Sequence, residues 1–346
     1  MKLLNYKVNN NNEVQFGVLI DDYIVSFKTL QNKFKKKYSE LNDIDAYLNN
    51  LPESENLARE LFLKGEERIL NFKSTEKISL THVKILPPVL SPPALLDFGM
   101  SPRHLINSFL TMAKYEIIWP LNYLIRFIVK SINPKLDAKM RYYKCNHNSI
   151  IGDMDSPVWP RFSSYLDIEP ELGIVVGKAS YNMSEEELRK SIAGYLIYND
   201  FSARDIQWSE MLGLAGPARC KDFERGNGIG PFLVTVDEIN DPLALSVEVK
   251  LGDRFIWEGS TSEYSTHPIE LIRYLTGFQS LAPGTIIGMG TIPGCCCLEN
   301  DQWLLPGEQI EISMRGLGRL RQIIPSDIGE IEETGWKKRP ELLKFM

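Results

Sequence analysis

Three acidic residues have the types and spacing of a cation site. Glu169 and Glu171 lie two apart in the segment 166–172, and Asp200 follows the apolar run 195–199. Because a strand alternates its side chains, residues two apart share a face and lie roughly 6.5 Å apart along the backbone. Hard divalent cations such as Mg²⁺ or Mn²⁺ prefer such oxygen ligands. The pattern therefore predicts a metal site at Glu169, Glu171 and Asp200. The alternative is an exposed strand face followed by a helix cap.

Two hydrogen-bond donors follow these acids. Arg204 and Gln207 come shortly after Asp200, and both side chains can donate to an anionic substrate. They are therefore candidates for substrate binding. The alternative for Arg204 is a salt bridge to its neighbour Asp205.

The composition is that of a globular protein and gives no indication of binding to nucleic acid or to an anionic membrane. Of the 346 residues 43% are hydrophobic and 24% are charged, which is ordinary for a folded chain, and the length exceeds that of one typical domain. A formal net charge of −6 argues against binding to nucleic acid or to an anionic membrane. We therefore expect two domains and a small-molecule partner.

The cysteines and the apolar segments indicate a cytoplasmic protein. Cys145, Cys220 and the run 295–297 have neither disulfide nor zinc-site spacing, so we expect buried, reduced thiols. The N-terminus lacks the apolar run of a signal peptide, and the stretch 115–132 is too polar and too short to span a bilayer. The alternative for the cysteine run is a site for a soft metal, Zn²⁺ or Cu⁺.

The first part of the chain, 1–90, is predicted to form a small α/β module. Apolar residues at 14–20 and 23–27 predict a β-hairpin, and helical spacing continues over 41–73. The proline-rich segment 84–93 predicts an extended linker, because proline excludes helix.

The rest of the chain, 91–346, is predicted to be one β-rich α+β catalytic domain. Helical periodicity runs over 105–131, a capping box at Ser184 opens a short helix, and Pro268 begins another. Strands are predicted at 172–176, 194–199, 231–236, 244–251, 254–258, 284–289, 308–314 and 319–324.

Several motifs, taken in order along 94–325, resemble the fumarylacetoacetate hydrolase superfamily. They are Leu166-Asp167-x-Glu169-x-Glu171-Leu172, Asn199-Asp200-x-Ser202-Ala203-Arg204-Asp205-x-Gln207, Lys221-Asp222-Phe223, Gly290-Thr291-Ile292-Pro293-Gly294 and Leu305-Pro306-Gly307-Glu308. The resemblance implies a mixed, rolled β-sandwich for the catalytic domain. It also implies a divalent ion in the active site, Mg²⁺ with Mn²⁺ or Ca²⁺ as alternatives.

The resemblance assigns the acids to that ion. Glu169, Glu171 and Asp200 match the positions of metal ligands. Asp97 matches a fourth carboxylate that fumarylacetoacetase itself uses, whereas some smaller members of the superfamily use only three.

A histidine and a further acid match the water-activating pair of the family. His104 takes the position of the general base, and Glu299 takes that of the acid that holds the imidazole tautomer and stabilises the imidazolium. The alternatives are a structural histidine and a solvated loop acid.

The remaining matched residues contact the substrate. Arg204, Gln207 and Lys221 match donors that bind substrate and stabilise an oxyanion, and Thr291 and Tyr143 match substrate-binding positions. A surface charge is the alternative for Lys221, and a tight connection is the alternative for the turn that holds Thr291.

The implied activity is that of a hydrolase acting on carbon–carbon bonds in ketonic substances. A 1,3-dicarbonyl acid, an acylpyruvate or a fumarylacetoacetate-like compound, would be cleaved by water that His104 activates. Alternatives on the same fold are a β-keto acid decarboxylase and a 2-oxo-alkenoate isomerase or hydratase. A non-catalytic protein that binds a divalent metal or a metabolite is the alternative of another class.

Two departures from the family pattern bear on the substrate. Gly99 stands where fumarylacetoacetase has a tyrosine that contacts substrate, and a partly apolar insertion occupies about 105–140. We expect the insertion to cover the site or to pack against a second subunit, since family members commonly form homodimers.

Overall fold

The computed structural model describes residues 1–345 except 10, 119, 133–139, 214–215 and 333, and it describes no side chain at 126 or 129–132. In these residues the strands are β1 (Lys2–Val8), β2 (Gln15–Ile20), β3 (Tyr23–Ser26), β4 (Ile78–Ser79), β5 (Val83–Leu86), β6 (Leu95–Phe98), β7 (Tyr142–Lys144), β8 (Ile150–Ile151), β9 (Leu166–Asp167), β10 (Pro170–Val176), β11 (Ile192–Asp200), β12 (Ser202–Ala203), β13 (Asn227–Val234), β14 (Ser246–Leu251), β15 (Phe255–Ser260), β16 (Ile286–Gly288), β17 (Gln309–Met314) and β18 (Gly318–Ile323).

Five of the nine α-helices in the described residues lie before residue 133, and the other four are short and separate later strands. They are α1 (Phe27–Lys33), α2 (Ile44–Asn49), α3 (Glu53–Glu66), α4 (Pro102–Glu116), α5 (Leu121–Ile132), α6 (Glu185–Arg189), α7 (Arg204–Leu212), α8 (Pro268–Thr276) and α9 (Cys297–Asn300). Short 3₁₀ helices lie at Ser39–Leu41, Ile69–Asn71, Leu80–His82, Val236–Glu238, Thr261–Glu263 and Pro340–Phe345.

One mixed sheet of 12 strands crosses the described part of the chain. Its order is β4-β3-β2-β1-β13-β11-β10-β16-β6-β7, with β5 also paired to β1 and β8 to β13. The β16–β6 and β13–β8 pairs are parallel and the others are antiparallel. A smaller antiparallel sheet has the order β15-β14-β17-β18, and β12 pairs with β9. The fold is therefore α+β and rich in strands, as the motifs implied.

Alternating side chains of the large sheet divide its surroundings into two cores. Leu172 and Ile174 of β10 pack in a core with Val249 of the small sheet. Val175, on the opposite face of β10, lies in a second core with Tyr47 of α2. The small sheet and helices α1 to α3 thus cover opposite faces, which is why β10 is apolar along nearly its whole length.

The predicted helix over 105–131 is two helices. Ser101 caps α4, because its Oγ accepts the backbone N–H of His104 at 3.2 Å. α4 ends at Ile117, whose backbone is extended, and Pro120 precedes α5. Proline cannot donate to the preceding turn, which accounts for the break. The end of the insertion, 133–139, lies outside the described residues.

Other local predictions are confirmed. Strands β2 and β3 form the expected hairpin, Ser184 and Glu187 form the capping box of α6, and α8 begins at Pro268. All five cysteines are buried and free. No helix of the described residues is long and apolar enough to cross a membrane.

The N-terminal segment joins the large sheet. Strand β1 pairs with β13, with Lys2 opposite Val234, and β5 occupies the start of the proposed linker and pairs with β1. Hydrogen bonds therefore connect residues on both sides of position 90, and a division of the chain into 1–90 and 91–346 stays a prediction.

Candidate active site

Three carboxylates meet on one face of the large sheet. Asp97 lies on β6, Glu171 on β10 and Asp200 at the end of β11, and one oxygen of each lies within 4.8 Å of the others. Strand alternation accounts for the shared face, since Glu171 and Val175 are four positions apart, an even number, and therefore point to the same side of β10. The carboxylates therefore line the same face that, farther along, packs against α2.

A glycine makes room for these carboxylates. Gly288 lies on β16, between β6 and β10, and its register partners are Asp97 and Gly173. A Cβ atom added at Gly288 would lie 2.5 Å from Oε2 of Glu171 and 2.7 Å from Oδ1 of Asp97. The space between the two acids thus depends on the missing side chain.

The donor set fits a hard divalent ion. Asp97 Oδ1, Glu171 Oε1 and Asp200 Oδ1 are buried and have no hydrogen-bond partner. Burial raises the pKa of Glu171 well above its usual range, with Asp97 adding to the rise. Burial likewise raises the pKa of Asp97, and it raises that of Asp200 to about 7 although Lys221 opposes the rise. Unpaired carboxylate oxygens that resist ionisation are what a cation such as Mg²⁺ or Mn²⁺ would satisfy.

Glu169 is the predicted ligand that this group of three does not include. Lys221 Nζ donates to Glu169 Oε2 at 2.7 Å and to Asp200 Oδ2 at 2.5 Å, and Arg204 forms an ion pair with Glu169. Burial opposes ionisation of Glu169, but Arg204, Lys221 and His104 together hold its pKa below its usual range. Lys221 therefore links Glu169 to the carboxylate cluster of Asp97, Glu171 and Asp200.

Arg204 is held by residues other than the neighbour that sequence alone suggested. Its Nε donates to Asp167 Oδ2 at 2.7 Å and its Nη1 donates to Gln207 Oε1 at 2.8 Å. Asp205 instead accepts from Ser163 and from the backbone of Ser164. The guanidinium is thus fixed between Asp167 and Glu169 and orients Gln207.

His104 and Glu299 form a hydrogen-bonded pair. His104 Nδ1 lies 2.6 Å from Glu299 Oε1, and Asn107 Nδ2 donates to Glu299 Oε2 at 2.6 Å. Burial alone would raise the pKa of Glu299, but the bond from His104 holds it below its usual range. An ionised Glu299 accepts a hydrogen bond from Nδ1–H of His104, which leaves Nε2 as the ring nitrogen that can act as the base.

Side chains at both ends of α9 hold this helix in place. The carboxylate of Asp167 accepts the backbone N–H of Cys297 at 2.6 Å and of Leu298 at 3.1 Å, at the start of α9. At the other end of α9, Tyr115 of α4 donates to Asp301 at 2.5 Å. Helix α9, which carries Glu299, is thereby fixed against α4, which carries His104.

The two predicted substrate residues lie beside the cluster. Tyr143, opposite Asp97 in the pairing of β6 with β7, donates its hydroxyl to Asp200. Thr291 is buried next to Gly290, whose backbone N–H donates to Glu171 Oε2 at 2.8 Å. A φ of +95° at Gly290 and a close approach to the carbonyl of Phe98 require glycine there.

The structure adds residues that sequence reasoning missed. Asp167 joins Arg204 to α9, Asn107 orients Glu299, and Cys296 lies beside the pair of His104 and Glu299. Asp167 was visible in the motif Leu166-Asp167-x-Glu169, but nothing in its spacing indicated its partners.

A model of the fumarylacetoacetate (FAA) hydrolase C-terminal family matches residues 128–324, more than half of the chain. An uncharacterised protein of Methanocaldococcus jannaschii is 30% identical over 207 residues, which are 60% of this chain and 81% of that protein. A 2,4-didehydro-3-deoxy-L-rhamnonate hydrolase of Sphingomonas sp. is 32% identical over 183 residues. This match spans 51% of the chain and 61% of the relative, less than two thirds of its length.

Two solved structures have the same fold. One is maleylpyruvate hydrolase from Sphingobium sp. SYK-6, in complex with manganese(II) ion and pyruvate, which is 18% identical to this chain with a TM-score of 0.64. The superposition covers 94% of this chain and 99% of that chain. A probable 2-hydroxyhepta-2,4-diene-1,7-dioate isomerase from Mycobacterium abscessus is 23% identical with a TM-score of 0.65, covering 94% and 98%. These likenesses support the fold and include both a hydrolase and an isomerase.

Proposed function

Because the chain belongs to the fumarylacetoacetate hydrolase family, we propose that it is a metal-dependent hydrolase of a 1,3-dicarbonyl acid. The carbon–carbon bond of an acylpyruvate or a fumarylacetoacetate-like acid is cleaved by water. One observation carries the proposal: a histidine–carboxylate pair lies close enough to Glu169 to lower its pKa, and Lys221 joins Glu169 to a cluster of three carboxylates that each keep an unpaired oxygen. Base and cation site would then act on one substrate.

The carboxylate cluster holds the cofactor in this proposal. Asp97, Glu171 and Asp200 would hold Mg²⁺, or Mn²⁺ or Ca²⁺ in its place, and Glu169 would be a further ligand that the ion shares with Lys221. When bound, such an ion supplies Lewis acidity that polarises a substrate carbonyl and favours negative charge on its oxygen.

The histidine pair moves the proton. Nε2 of His104 takes a proton from water as the oxygen adds to the carbonyl carbon, and Glu299 stabilises the imidazolium. The carbon–carbon bond then breaks, and the same proton passes from His104 to the departing carbon. Water is thus divided between a new carboxylate and a released ketone.

The buried donors stabilise the charge that develops on oxygen. Lys221, Arg204 and Gln207 are held in place by the contacts described above, so little reorganisation is needed when the charge appears. Tyr143 and Thr291 lie at the edge of the cluster, where they would contact the substrate. Removing one such donor typically costs about 3 kcal/mol of transition-state stabilisation.

The relatives support a hydrolase within the family. The Sphingomonas relative is named as a hydrolase, and so is the Sphingobium structure, whose complex holds manganese and pyruvate. An isomerase or a β-keto acid decarboxylase would use the same cluster without an activated water, and a hydratase would add water to a carbon–carbon double bond without cleaving the chain of the substrate. The substrate partner is a small keto acid in each case.

The test compares substrates and variants in the purified full chain. Acylpyruvate cleavage is followed by loss of the enol absorbance and by product analysis, with Mg²⁺ or with a chelator, and oxaloacetate is assayed for decarboxylation. Mutation of His104→Ala is expected to lower cleavage about 10²- to 10⁴-fold. His82→Ala, on an exposed histidine, is the matched control. Oxaloacetate decarboxylation that survives in His104→Ala, without acylpyruvate cleavage by the parent, would favour the decarboxylase.

A further inference from the structure

A second group of metal-binding side chains lies beside the carboxylate cluster. His104, Cys296 and Glu299 each offer a ligand atom, and the three atoms lie within 4.8 Å of one another. All three side chains are nearly buried, with 9% of His104 and 3% of Glu299 exposed. One nitrogen, one sulfur and one oxygen form a donor set for borderline and soft ions, not for Mg²⁺.

The distances suit a tetrahedral ion. Sγ of Cys296 lies 3.7 Å from Oε1 of Glu299. Ligands at about 2.3 Å for sulfur and about 2.1 Å for oxygen lie about 3.6 Å apart around tetrahedral zinc. Nδ1 of His104 lies 2.6 Å from the same oxygen, so an ion would replace this hydrogen bond and part the two atoms to about 3.3 Å.

The surroundings hold this group in place. Asn107 donates to the other oxygen of Glu299 at 2.6 Å, as outer partners of metal ligands do. The nearby guanidinium of Arg204 is already paired with Asp167 and Glu169, which offsets its charge. The position of Cys296 at the cap of α9 is fixed by the bonds of Asp167 to the following backbone N–H groups.

We infer that His104, Cys296 and Glu299 form a second cation site, which takes a soft or borderline divalent ion such as Zn²⁺. Binding exchanges the thiol proton of Cys296 for the ion, and the Nδ1 proton of His104 moves to Nε2, so that a metal–thiolate bond forms and one proton is released to solvent. Because the ion occupies His104, it inhibits cleavage. That consequence rests on the proposed function, whereas ion binding does not.

The test is a Co²⁺ titration of the full chain, with Mg²⁺ in excess to fill the carboxylate cluster. The parent is expected to show near-ultraviolet thiolate-to-cobalt charge-transfer absorption, and Cys296→Ser is expected to lack it. Cys295→Ser, which changes the adjacent buried thiol, is the matched control and keeps the absorption. Competition with Zn²⁺ is expected to give an affinity at least about 100-fold weaker in Cys296→Ser, because even outer-shell changes cost about 10- to 100-fold.

Two outcomes overturn the inference: no thiolate absorption in the parent, or the same absorption in Cys296→Ser. If circular dichroism shows that Cys296→Ser does not fold, X-ray absorption of the Zn²⁺-loaded parent decides. One sulfur at about 2.3 Å supports the site, and a shell of nitrogen and oxygen alone refutes it.

Mg²⁺-dependent cleavage is measured separately, so an active protein without the sulfur signal contradicts only this site. An inactive protein with the signal contradicts only the proposed function.

Discussion

Replacing Glu171 by glutamine distinguishes a metal site from an ordinary group of buried acids. Oxygens of Glu171, Asp97 and Asp200 lie no more than 4.8 Å apart. Two unit charges at that distance repel by about 3.5 kcal/mol at an effective dielectric constant of about 20. Glutamine keeps the size of the side chain and an oxygen but removes the charge. In the folded, metal-free protein Glu171 must either bear this repulsion or take up a proton, as its raised pKa indicates, and both are unfavourable. Glu171→Gln is therefore expected to raise the free energy of unfolding of the metal-free protein by about 3.5 kcal/mol.

The assay is thermal unfolding in a chelator and then in Mg²⁺ or Mn²⁺. With an unfolding entropy of roughly 2.1 cal/mol/K per residue over 346 residues, about 3.5 kcal/mol corresponds to a rise of about 5 °C in Tm. A metal at 100 times its Kd stabilises the parent by about 2.7 kcal/mol. Loss of a direct ligand is expected to weaken binding at least about 100-fold, which removes most of that gain.

Glu258→Gln is the matched control, because it removes the same charge from an exposed side chain of β15. Neither the Tm in chelator nor the gain with metal should change there. A Glu171→Gln protein that is less stable than the parent in chelator, and that gains as much from metal as the parent does, would refute the assignment of the cluster to a cation.

Three further predictions use the same measurements. Gly288→Ala is expected to abolish stabilisation by metal, because its Cβ would lie within 2.7 Å of oxygens of Glu171 and Asp97; an unchanged gain would contradict the geometry. The pKa of Asp200 is raised to about 7, so its contribution to stability in the metal-free protein is full below about pH 4 and is lost as the pH rises through 7. Since metal binds the ionised form, the gain in Tm from Mg²⁺ should grow between about pH 5 and pH 8, and a constant gain would argue against it. Asp167→Asn removes one of the two carboxylates that pair with Arg204 and should lower the free energy of unfolding by about 3–5 kcal/mol, measured by denaturant titration. A free energy of unfolding equal to that of the parent within error would contradict this account.

Local features were predictable from the sequence because their causes are local. The hairpin of β2 and β3, the capping box at Ser184 and the start of α8 at Pro268 depend on residues within a few positions of one another. The break between α4 and α5 was missed although Pro120 is visible in the sequence, since the apolar periodicity continues on both sides of it. The pairing of β1 with β13 was also missed, because nothing in the first strand specifies a partner more than 200 residues away.

For the candidate site too, the sequence identified the residues and the tertiary structure decided how they meet. Order and residue type along the chain identified the acids, the histidine and the donors, since a motif keeps its residue types whatever the surrounding fold. Which acids converge was decided by strand order: β6, β16, β10 and β11 are neighbours in the sheet, and the glycine of β16 leaves space among Asp97, Glu171 and Asp200. Burial then decided which charges are paired, because Lys221 and Arg204 lie against Glu169 and leave those three oxygens without partners. Convergence and pairing depend on contacts between distant segments, and only the tertiary structure contains them.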